Sequence, residues 1–148
     1  MCSQGDGDAV GSRSPRQERI ALSKPPLIAI IDDDASVRAT TDSLVRSLGY
    51  VVFTFASAED FLRSNRLDDL ACVIADVQMH GMSGVELQAH LISQGSRVPF
   101  IFFTAFPDEQ IRAQALNAGA ICYLTKPFDG DSLVQGLQVA LKKHDGGA

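Results

Sequence analysis

Four polar groups in the sequence stand directly behind apolar runs. Asp32, Asp33 and Asp34 follow "LIAII", Asp76 follows "ACVIA", Thr104 follows "FIFF", and Lys126 comes two residues after "AICYL". Three adjacent carboxylates repel one another and are costly to desolvate beside a buried strand. A hard divalent cation offsets that cost, and Mg2+ suits a site with few carboxylates and several retained waters. Carboxylates, cation, hydroxyl and ammonium together suit transfer of a phosphoryl group to a carboxylate. One aspartate is then the nucleophile and becomes an aspartyl phosphate. The cation neutralises phosphoryl oxygens, and the lysine and threonine hold the others.

Such a set works only if the apolar runs are neighbouring strands. The runs "LIAII" (27–31), "VVFTF" (51–55), "ACVIA" (71–75), "FIFF" (100–103) and "AICYL" (120–124) are nearly continuous in apolar character, as strands covered on both faces are. Segments with helical spacing separate them. Val37, Leu44, Val45 and Leu48 share a face that Gly49 ends, and "SAED" (57–60) reads as a capping box before Phe61 and Leu62. Leu87 and Leu91 mark a third helix after Gly84. Ile111, Ala115 and Ala118 mark a fourth, and Leu133, Val134, Leu137, Ala140 and Leu141 a fifth. Five alternations of strand and helix predict an α/β fold with a doubly wound five-stranded parallel sheet, whose ligands bind beyond the carboxyl ends of its strands. No internal repeat is visible.

The motifs "IIDDD", "IADVQMHGMSG", "FTA" and "LTKPF" resemble those of response-regulator receiver domains, the phosphoaccepting half of bacterial two-component signalling. "SAEDFL" and "MSGVEL" resemble receivers that precede a LuxR-type helix-turn-helix domain. The resemblance spans roughly residues 26 to 143 and implies a flavodoxin-like (βα)5 fold with strand order 2-1-3-4-5. It implies Asp76 as phosphoacceptor, and Asp32, Asp33, Asp76 and the backbone carbonyl of Gln78 as ligands of Mg2+. Thr104 and Lys126 match the family's hydroxyl and lysine, Pro127 its cis proline, and Thr104 and Tyr123 its switch pair. The implied partner is a sensor histidine kinase or a phosphotransfer protein. The implied output face is the fourth helix, fifth strand and fifth helix, which would meet a second copy or another protein. Beyond self-phosphorylation from phosphodonors and self-dephosphorylation, no enzyme activity is expected.

Some residues depart from that pattern or have simpler readings. His80 stands where the family usually has proline; it is either a proton donor or pH sensor near the phosphate, or a surface loop residue. His90 and His144 read as surface residues. Phe106 places a ring two residues after Thr104, where the family often has a polar group, and would hinder the water that hydrolyses an acyl phosphate. Asp34 reads as a cap for the first helix. Two alternatives remain. "DDDAS" also fits a haloacid-dehalogenase-like phosphatase with Asp32 as nucleophile and Asp34 as acid/base, but that leaves Asp76 without a role. A phosphorylation-independent interaction module is the other, although every site residue is present.

Composition narrows the field further. The 148 residues, 45% apolar, suffice for one domain with a core of its own. The formal charge is −5; nine basic and fifteen acidic residues lie from Leu27 onward, and no basic run suggests nucleic-acid binding by this chain. Cys72 and Cys122 sit in apolar runs, and no cysteine–histidine spacing suggests zinc. "DGDAVG" (6–11) fails as a calcium loop, with Val10 and Gln17 where oxygen ligands belong. With no signal-peptide pattern and no run of membrane-spanning length, a cytoplasmic location is expected. The expected division is a flexible leader over 1–26, the folded domain over 27–143, and a tail or linker stub over 144–148.

Overall fold

The computed structural model describes residues 25–64 and 69–146. Nearly all of the expected leader, with Cys2 and the failed calcium loop, lies outside the described residues, as does the His144 side chain. Five strands, β1 (Leu27–Ile31), β2 (Val51–Phe55), β3 (Leu70–Asp76), β4 (Phe100–Thr104) and β5 (Cys122–Thr125), form one parallel sheet in the order β2-β1-β3-β4-β5. The helices between and after them are α1 (Ala35–Ser47), α2 (Ala58–Arg63), α3 (Gly84–Ser93), α4 (Glu109–Asn117) and α5 (Gly130–Gly146). None of the described helices is long and apolar enough to cross a membrane. Fold class and strand order are as expected.

Alternation along the strands builds two cores. Ile28 and Ile30 of β1 face the same side as Cys72 and Ile74 of β3 and Ile101 and Phe103 of β4, against Val45 of α1 and Leu133, Leu137 and Ala140 of α5. Ala29, Ile31, Val73, Ala75, Phe100 and Phe102 face the other side, with Phe61 of α2, Leu87 and Leu91 of α3, and Ala115 of α4. Both strand faces are therefore apolar, and β1, β3 and β4 read as unbroken hydrophobic runs. Buried Cys72 and half-buried Cys122 are small core residues with free thiols, and burial pushes both thiol pKa values up.

Three local expectations need correction. The outer strands β2 and β5 are only partly covered: Val51 and Thr54 are exposed, and no residue of β5 is fully buried. β5 begins at Cys122 rather than Ala120. The Ala120 amide donates to Ala115 O at the exit of α4, and only from Ile121, which donates to Phe100 O, does the chain join the sheet. At α2 half of the capping box forms. Ser57 Oγ accepts from the Asp60 amide, while the Asp60 carboxylate pairs with Arg63. A complete capping box starts α3 instead, where Ser83 and Glu86 each accept the other's amide.

Gly84 sets how closely α3 approaches the end of β3. A Cβ there would lie 2.4 Å from the backbone oxygen of Asp76 and 3.1 Å from the Phe102 ring. The helix approaches the strand end close to its main chain there. Gly84→Ala therefore forces α3 away from β3 and should lower unfolding stability by about 1–3 kcal/mol, measured by urea titration; a loss below about 0.5 kcal/mol would mean that the backbone has room to move.

Candidate functional site

The strand ends that carry the site are levelled by the sheet. Ile31 pairs with Ala75, Asp76 with Phe103, and Thr104 with Thr125. Beyond the strands, Asp32 N donates to Phe55 O, Val77 N to Phe103 O, and Lys126 N to Thr104 O. The order of the sheet reverses between β1 and β3, so Asp32 and Asp76 flank the switch point of the topology. Asp32, Asp76 and Thr104 are all buried there, although each is polar.

Lys126 holds the centre. Its Nζ lies 2.8 Å from Asp76 Oδ2 and 3.1 Å from Asp32 Oδ2. It also stands 5.0 Å from the centroid of the Phe103 ring, a cation–π position that aims the ammonium. The Lys126–Pro127 peptide is cis, as the resemblance implied. Burial works against the ammonium, but its hydrogen bonds and charge attraction to Asp76 and Asp32 outweigh that and hold its pKa above the ordinary lysine value. For Asp76 the balance is reversed. Burial is the largest influence and, with the charge of Asp32, outweighs Lys126 and the Gln78 amide, so the Asp76 carboxyl titrates above its usual range.

Carboxylate oxygens of Asp32, Asp33 and Asp76 all lie within 4.8 Å of one another. Three hard, anionic donors at that spacing fit a hard divalent cation, and a single ammonium leaves their charge uncompensated. Asp33 is the exposed member. The backbone N–H and Nδ1 of His80 approach its Oδ2 at 3.1 and 3.0 Å. Burial raises the Asp33 pKa, but these contacts outweigh it and the net shift is downward. The His80 ring is fully exposed. Asp34 turns away from the cluster, its side chain accepting from the amides of Ser36 and Val37 as the cap of α1.

Thr104 and Tyr123 lie on adjacent strands. The Thr104 hydroxyl donates to Gln78 Oε1 and accepts from the Phe106 amide at 3.0 Å. The Tyr123 hydroxyl is buried without a hydrogen-bond partner among the described residues. Phe106 is 73% exposed beside them.

A model of the response regulator receiver domain matches residues 28–138. The chain belongs to the response-regulator receiver family. This receiver is 39% identical over 114 residues to the transcriptional regulatory protein TdiR of Thauera aromatica, covering 77% of this chain and 50% of that protein. It is 42% identical over 118 residues to the response regulator protein TmoT of Ectopseudomonas mendocina, covering 78% and 53%. The chain thus spans about half the length of these relatives. Among solved structures, the response regulator StyR superposes with a TM-score of 0.77 at 37% identity, covering 82% of this chain and 62% of that one. FixJ-N superposes with a TM-score of 0.71 at 28% identity, covering 81% and 96%. Membership of this family displaces the phosphatase reading, and the capping role of Asp34 removes the acid/base which that reading required.

Several contacts around the receiver site were not legible in the sequence. Glu59 of α2 reaches across to accept the Met82 amide at 2.9 Å, which restrains the loop between β3 and α3. Gly81 has φ +78° beside that carboxylate, where a Cβ would meet Glu59 Oε2 at 2.6 Å. Arg38 of α1 donates to Asp32 O at 2.6 Å. Gln78, expected to matter through its backbone carbonyl, also engages through its side chain. The pattern "SAED" reads only as a local helix cap, and side-chain reach across a loop leaves no periodic trace.

The raised pKa of Asp76 has a thermodynamic consequence. An acid titrating higher when folded is less favourably charged there than in the unfolded chain, so its ionised form opposes folding at neutral pH. Asp76→Asn should therefore raise the metal-free thermal midpoint by a few degrees. Millimolar Mg2+ should raise the midpoint of the parent and move that of Asp76→Asn much less, as followed by calorimetry. A lower midpoint for the metal-free variant would mean that the Lys126 pairing dominates.

Proposed function

We propose that this receiver takes a phosphoryl group onto Asp76 from a sensor histidine kinase or a phosphotransfer protein and switches the face made by α4, β5 and α5. The observation that carries this reading is the Asp32–Lys126–Asp76 arrangement at the switch point of the sheet. Asp32, Asp33, Asp76 and the Gln78 backbone carbonyl would hold Mg2+, which when bound supplies positive charge to the carboxylates and the phosphoryl oxygens. An oxygen of Asp76 attacks phosphorus in line, the P–O bond forms as the donor's P–N bond breaks, and the leaving imidazole takes up a proton. The Lys126 ammonium, already on Asp76, pairs with a phosphoryl oxygen. The Thr104 hydroxyl turns to donate to another, and Tyr123 follows it in a shift between two pre-existing conformations.

The domain division at 27–143, a cytoplasmic location, and action through a second copy, a partner protein or an output domain all belong to this reading. The names of the relatives, regulatory and response-regulator proteins, support signalling over turnover.

Incubation with Mg2+ and acetyl phosphate, followed by intact mass and borohydride mapping, tests it. The expected product is one phosphoryl adduct at Asp76, abolished by Asp76→Asn and by EDTA. An adduct at Asp32 with turnover of phosphate esters would restore the phosphatase reading, and no adduct would leave an interaction module.

On this reading the Phe106 ring, 73% exposed two residues after Thr104, hinders the water that hydrolyses the acyl phosphate. Phe106→Glu should shorten the phosphoryl lifetime several-fold by opening a polar approach for that water, measured as loss of the adduct with time. An unchanged lifetime would sink the idea.

A further inference from the structure

Three hydrogen bonds close a ring beside the acceptor. Thr104 Oγ1 donates to Gln78 Oε1, Gln78 Nε2 donates to Phe106 O at 3.3 Å, and Phe106 N donates to Thr104 Oγ1 at 3.0 Å. The orientation of the Gln78 amide is fixed by this ring, because the Phe106 carbonyl can only accept and must face the NH2 group. The Thr104 hydroxyl has a single proton, and here Gln78 takes it. The Gln78 backbone N–H donates to Asp76 Oδ1 at 3.1 Å, so the residue whose side chain holds Thr104 is tied through its main chain to the acceptor itself.

We infer that the Gln78 side chain is a latch that holds Thr104 in its resting position and competes with a phosphoryl group on Asp76 for the threonine proton. The inference rests on the proposed phosphoacceptor reading and adds a positioning residue to it. Thr104 can donate to a phosphoryl oxygen only after leaving Gln78, and leaving also frees the 104–106 segment that leads into α4. Gln78 thereby connects occupancy of the acceptor to the start of the proposed output face. Gln78 is exposed although Thr104 is buried, so water replaces the broken bond on the glutamine side, and the latch is worth about one ordinary net hydrogen bond.

The test uses beryllofluoride with Mg2+ as a stable stand-in for the phosphoryl group, titrated into the protein and followed by 19F NMR of the bound species. Gln78→Met keeps the chain length and the backbone carbonyl but makes none of the ring's side-chain bonds. It should lower the half-saturating beryllofluoride concentration about fivefold. In a Thr104→Val background, which has no hydroxyl to hold, the same substitution should change nothing. An unchanged or weakened affinity in Gln78→Met would overturn the latch. An equal gain with and without the Thr104 hydroxyl would overturn it too, since the side chain would then act through bulk. If the parent protein itself takes up no beryllofluoride, the phosphoacceptor reading fails and the latch falls with it; parent binding without the Gln78 effect sinks the latch alone.

Discussion

One ammonium between two buried carboxylates is the constraint on which the rest of the site depends. Asp32 and Asp76 come from neighbouring strands and are withdrawn from water. Removing the partner of a buried charge is far more damaging than replacing the whole pair. Lys126 must therefore arrive from the far side of β4 and reach across the sheet edge. The Lys126 amide bond to Thr104 O fixes its main chain, and the Phe103 ring beneath it limits where the ammonium can go. Even so, three carboxylates face one lysine, and the residual negative charge makes the cluster a place for a cation.

The same economy of space governs the loop after Asp76. Gly84 lets α3 touch the main chain of Asp76, and Gly84 N donates back to Val77 O, closing the loop on itself. Glu59 holds Met82 from α2, and Asp33 holds His80 from the first loop. The Met82 amide lowers the Glu59 pKa, which is the electrostatic counterpart of that hold. The loop after Asp76 is thus held by contacts from α2 and from the loop after β1 rather than by stiffness of its own, and His80 makes two of those contacts with Asp33.

What was legible in the sequence follows from this physics. Strands buried on both faces announce themselves as apolar runs, so polar residues directly behind them stand out, and the positions of Asp32, Asp76, Thr104 and Lys126 could be read without coordinates. The edge strands β2 and β5 looked the same as the central ones because their inward faces demand apolar residues and nothing in the local pattern reports the missing neighbour. The start of β5 has no signature of its own in the sequence, because Ala120 and Ile121 are apolar whether they end a helix turn or begin a strand. Gln78 and Glu59 act through reach across loops, a property of the folded geometry that no spacing rule encodes.

Two side chains pull the switch pair in opposite directions. The Tyr123 hydroxyl is buried without a hydrogen bond among the described residues, and leaving such a donor unsatisfied costs about 1–3 kcal/mol. The ring through Gln78, Thr104 and Phe106 favours the same arrangement by a comparable, smaller amount. On the proposed reading, the resting arrangement therefore carries a penalty at Tyr123 and a latch at Thr104 that act in opposite directions. A small net difference is what allows one phosphoryl group to decide the outcome, because a ligand shifts a two-state equilibrium only by its differential affinity for the two states. A receiver with a satisfied tyrosine and an unbroken latch would sit too deep in its resting state for that to happen.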